Sequence, residues 1–67
     1  MAEDSWSAHI GYLEDELKKI DERADRLEEM LPDAGSAQKK YALRELVTHL
    51  RDEASERRKY LALVKPQ

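Results

Sequence analysis

Between Trp6 and Leu31 the apolar residues Trp6, Ile10, Leu13, Leu17, Ile20, Ala24, Leu27 and Leu31 recur in alternating steps of four and three. That spacing places every one of them on a single narrow stripe of an α-helix, the a and d seam of a coiled coil. It predicts a first helix over about residues 5–31. Asp4 and Ser5 stand just before the periodic run. Both can accept hydrogen bonds from the free N–H groups of a first turn, and Glu3 and Asp4 favour the positive end of the helix dipole. Pro32 ends the pattern, because the residue before a proline is pushed out of the α region. Pro32-Asp33-Ala34-Gly35 reads as a tight turn, making residues 32–36 the connection. Ser36, or Asp33 if the turn winds tighter, caps a second helix expected over about residues 37–64, stopped by Lys65-Pro66.

The second helix carries its own heptad, with Lys40, Val47, Ala54 and Leu61 at a and Leu43, Leu50, Arg57 and Val64 at d. So short a connection makes the two helices antiparallel neighbours. Folding the chain back about the turn stacks Ala24 on Leu43, Ile20 on Val47, Leu17 on Leu50, Leu13 on Ala54, Ile10 on Arg57 and Trp6 on Leu61. Beside this seam the e positions of the first helix, Glu14, Asp21 and Glu28, are all acidic. Those of the second, Arg44, Arg51, Arg58 and Lys65, are all basic. In the same register Glu28 is expected to meet Arg44, Asp21 to meet Arg51 and Glu14 to meet Arg58. Exposed pairs of this kind select orientation more than they stabilise.

The other flank has a different character. Its g positions are His9, Glu16, Arg23 and Met30 on the first helix and Lys39, Leu46, Glu53 and Tyr60 on the second, with Ala42, His49 and Leu63 at neighbouring c positions. Met30, Leu46, His49, Tyr60 and Leu63 therefore form a second, largely apolar stripe that a hairpin cannot bury within itself. A lone two-helix hairpin also leaves its seam open above and below. The fold expected is all-α, an antiparallel, coiled-coil-like two-helix hairpin in one domain spanning residues 1–67, dimerising into a four-helix bundle.

Composition sharpens this picture. At 67 residues a single core only just offsets the entropy of folding, which favours self-association. With no cysteine, neither disulfides nor thiolate zinc can supply the missing stability. Charged residues make up 40% of the chain, a long-helix composition. No apolar run approaches a membrane span, and the start Met-Ala-Glu-Asp-Ser is unlike a signal peptide, so no membrane association and a cytoplasmic location are expected. The net charge of −3 divides unevenly: residues 1–36 carry four Lys/Arg against eleven Asp/Glu (−7), and residues 37–67 carry eight against four (+4). The halves attract each other.

Candidate chemistry is sparse. Trp6, Tyr12 and Tyr60 gather at the open end, where they either anchor a partner or close the bundle with Arg57 or Arg58 stacked on Trp6. Arg57 at a core d position is expected to snorkel, pair with a carboxylate or specify register. Lys40, next to the turn, is readily solvated. Glu16 and Glu53 oppose each other on the g flank, but Glu45 and His49 lack the Glu-x-x-His spacing of bundle metal sites, so no metal ligand is assigned. Two histidines without a nucleophile or phosphate loop place nothing in catalytic roles, and neither an enzyme nor a cofactor is expected. The reading is a non-catalytic protein–protein interaction module, an adaptor, regulator or small chaperone acting as a homodimer with a protein partner. In length and architecture the layout is similar to small helical-hairpin chaperones of secretion systems. It is also similar to the plasmid-encoded RNA-binding bundle Rop, which implies nucleic-acid binding as the alternative.

Overall fold

A computed structural model of the chain describes the backbone of residues 2–65 and the side chains of residues 5–65. Two long helices, α1 (Ala2–Met30) and α2 (Ala37–Val64), pack against each other as a hairpin. The ends of α1 depart from expectation. It begins at Ala2, so Ser5 lies inside the helix and caps nothing; the capping roles expected of the Glu3 and Asp4 side chains fall outside the described residues. At its other end the α-helix stops at Met30, and Leu31–Asp33 form one turn of 3-10 helix. Pro32 thus ends the α ladder by tightening the chain rather than extending it. Its missing N–H costs little in a first turn, where such groups have no intrahelical partner.

The connection is closed by local hydrogen bonds. Ala34 N–H donates to the Leu31 carbonyl at 3.2 Å and Ser36 N–H to the Ala34 carbonyl at 2.8 Å. The last of these requires Gly35 at φ +79°, in the left-handed region that side chains disfavour. Ser36 is extended, and its hydroxyl accepts from Lys39 N–H at 3.2 Å, the cap expected for α2. At the far end Lys65 is extended, as a residue before proline should be, with its N–H still bonded to the Leu61 carbonyl. A Cβ built on Gly35 meets nothing within 4 Å, so Gly35→Ala carries only the backbone cost. That substitution is expected to lower stability by about 1 kcal/mol, a fall of about 5 °C in Tm by circular dichroism.

The core is thin. Ile10, Ala24, Val47, Leu50, Ala54 and Leu61 are buried, and only the two alanines are sealed completely. Leu13, Leu17, Ile20, Leu27, Leu31, Leu43 and Val64, all seam residues, stay half-exposed. The molecule measures 53 × 15 × 14 Å, with a radius of gyration of 15.7 Å; a compact chain of this length would have about 11 Å. Its accessible surface is 5412 Å², where a globular monomer of the same mass exposes about 4,400 Å². The hairpin forms its seam without closing it.

Candidate functional site

The two flanks of the seam are built differently. On the e flank carboxylates of α1 hold cations of α2, and most of these pairs lie one heptad further along α2 than the simple register gives. Glu28 pairs with Arg51 instead of Arg44 and Glu14 with Lys65 instead of Arg58, while Asp21 makes its expected pair with Arg51 at 4.0 Å and takes Arg58 as well. Arg44 meets no carboxylate among the described residues. Side-chain direction explains the offset. In both helices side chains lean toward their own N-terminus, which in α1 points away from the turn and in α2 toward it. Residues that meet on the flank therefore both sit further along the sequence than residues level across the seam. Arg51 also takes Asp25 at 2.8 Å and lies 4.0 Å from Asp21. The hydrogen bonds that Arg51 donates to Glu28 and then to Asp25 raise its pKa above an already high ordinary value.

The g flank carries no such ladder. At its open end the His9 ring lies 5.5 Å from Trp6 and meets Tyr60 edge-on at 6.3 Å, with Nε2 and the Tyr60 hydroxyl 3.4 Å apart. The ring beside Trp6 is thus a histidine, where an arginine was expected, and Trp6 Nε1–H donates to the Val64 carbonyl at 3.2 Å. Histidine's place followed from its g position beside the seam; its partnership with Trp6, one helical turn back, was the overlooked signal. Tyr12 stands apart from this cluster and is exposed. Toward the turn Met30, Ala42, Leu43 and Leu46 line a groove of about 500 Å³ with Lys39 at its rim. Met30, Leu46, Tyr60 and Leu63 are all exposed large apolar residues, Leu63 most of all at 84%, and His49 is exposed with them. Tyr41, exposed on another face, was not singled out by the heptad.

Between these two ends lies a polar layer. Arg57 Nη2 donates to Glu53 Oε1 at 3.2 Å, one turn back on its own helix, so the carboxylate pairing expected for this core arginine is made within α2. Its Nε–H is buried with no acceptor. Glu16, half-buried, has no cation partner among the described residues. Among the described residues no three His, Asp or Glu side chains come together as metal ligands, and no helix is long and apolar enough to cross a membrane. Comparison of the chain with models of known families finds no match, and the same holds for curated proteins and for solved structures.

Proposed function

We propose that the chain is a non-catalytic protein–protein interaction module that works as a helical-hairpin dimer, closing into a four-helix bundle and presenting the remaining helix faces to a protein partner. The observation that carries this reading is the open g flank, where exposed Met30, Leu46, Tyr60 and Leu63 continue a seam in which Leu13, Leu17, Leu27, Leu31 and Leu43 are half-exposed. Apolar surface contributes about 25 cal/mol per Å² removed from water, and a chain this small has little other source of stability. An adaptor, a regulator or a small chaperone all need what such a bundle provides, a rigid helical surface without a reaction site. The acid–base ladder argues against the nucleic-acid alternative, because Arg51, Arg58 and Lys65 already hold carboxylates.

Sedimentation equilibrium at micromolar concentration tests the proposal. Twice the chain mass is expected, with a Tm that rises with protein concentration. A folded, monodisperse monomer would overturn it.

A further inference from the structure

We propose that the open flank is covered by a second copy of this chain, with α2 packed antiparallel on α2 about a two-fold axis passing beside Glu53. This rests on the self-association proposed above and adds which helix meets which, in what direction and about which residue.

The outer stripe of α2 reads nearly the same in both directions from Glu53. Leu46 and Tyr60 lie one heptad before and after it, His49 and Glu56 about one turn to either side, and Ala42 and Leu63 about three turns to either side. These spacings keep all of them on one face of the helix. In a two-fold interface, if residue i meets residue j then j meets i. An axis at Glu53 accordingly sets Leu46 against Tyr60 of the second copy, Ala42 against Leu63 and His49 against Glu56, each contact occurring twice. Apolar residues meet apolar ones, and the charged residue His49 faces is an acid. The equivalent face of α1 carries Tyr12 and Met30 toward its ends but Glu16, Lys19, Arg23 and Arg26 between them, and so offers no continuous apolar stripe.

The axis also accounts for the polar layer. Two Glu53 carboxylates brought together would repel, but each has Arg57 bonded to it at 3.2 Å, and each Arg57 keeps a buried Nε–H without an acceptor. That atom is closed off by the chain's own packing, but the Arg57 side chain as a whole is 35% exposed, and its outer N–H groups donate to the Glu53 of the second copy. Two carboxylates and two guanidinium groups then form a neutral layer at the middle of an apolar interface, which gives an arginine at a core d position a reason to be there. Polar layers of this kind fix register and orientation. The groove of about 500 Å³ fits the same arrangement. Ala42 and Leu46, two of the residues lining it, are those that face Leu63 and Tyr60 of the second copy.

The area is sufficient. Two separate chains expose about 10,800 Å², whereas one compact body of twice the mass exposes about 7,300 Å². Complete closure would remove that difference, roughly 3,500 Å², so a face that closes only in part still meets the roughly 1,200–2,000 Å² of a standard stable interface.

The chain has no cysteine, so a single introduced thiol reports on the axis alone. Under mild oxidation Glu53→Cys is expected to form an interchain disulfide in the bulk of the protein, because the axis brings each residue 53 to its own copy. Asp52→Cys, on the outer surface, is expected to stay reduced. A mixture of Leu46→Cys and Tyr60→Cys chains is expected to link one variant to the other and neither to itself. If the unmodified chain sediments as a dimer but Glu53→Cys stays unlinked, or Leu46→Cys links to itself, the axis is overturned while self-association stands. A monomer overturns both.

Discussion

A Leu46→Glu chain is expected to sediment as a monomer at concentrations where the unmodified chain is a dimer, with a Tm that no longer depends on concentration. In the single hairpin Leu46 is 45% exposed, so its own fold loses little when it is replaced. In the proposed bundle that exposed surface meets Tyr60 of the second copy, and a carboxylate there would be stripped of water beside an apolar ring. A cost of about 2 kcal/mol at each of two equivalent sites weakens dimerisation roughly a thousandfold. Leu50→Ala is the contrasting case. Leu50 is 7% exposed, and its side chain is spent on the hairpin's own seam. Its loss is expected to cost about 3 kcal/mol of folding stability, read as a lower Tm that remains concentration-dependent. The opposite ranking, with Leu50→Ala dissociating the dimer and Leu46→Glu only lowering its Tm, would mean that the seam and the flank have been exchanged.

The contrast between these two leucines shows what the sequence made legible. Two antiparallel helices, the serine cap at Ser36 and the end of α2 at Val64 followed from periodicity and turn chemistry, because these depend on nearest neighbours along the chain. The partners of individual charges followed only in part, with Asp21 reaching Arg51 as expected and Arg51 also reaching further. Heptad letters say which flank a residue occupies, but an arginine and a glutamate reach several ångströms along the helix axis, and both reach toward their own N-termini. Arg51 therefore passes Asp21 at 4.0 Å to take Asp25 and Glu28. The start of α1 was equally hidden. Asp4 and Ser5 have the chemistry of caps, yet the helix runs through them from Ala2, since capping preference is worth only about 1 kcal/mol and adjoining residues compete for it. Exposure was the third quantity the pattern could not supply. A seam of leucines reads as a core, whereas two helices alone cannot enclose it, and the half-exposure of Leu13, Leu17 and Leu27 appears only once the hairpin is seen. The buried, unsatisfied Arg57 Nε–H belongs to the same class.

Ala54→Leu is expected to be as damaging to the seam as Leu50→Ala, lowering stability by about 3 kcal/mol and Tm by roughly 15 °C. Ala24 and Ala54 both have 0% exposure, whereas every larger side chain of the seam keeps some contact with solvent. The helices must therefore approach most closely where only a methyl group stands between backbones, and the leucines lie beside that line of contact. A leucine at 54 has no void to enter and must either leave its preferred rotamer or drive α1 and α2 apart. Separation would also stretch the ladder of Asp21 with Arg58 and Glu28 with Arg51, so the variant is expected to lose the salt sensitivity that the unmodified chain's Tm should show. Ala62→Leu, on the exposed side of the same helix, is the control and is expected to change stability by no more than about 0.5 kcal/mol. If Ala54→Leu raised Tm, the added methyl groups would be filling space that the half-open seam leaves free, and the alanines would not mark the line of closest approach.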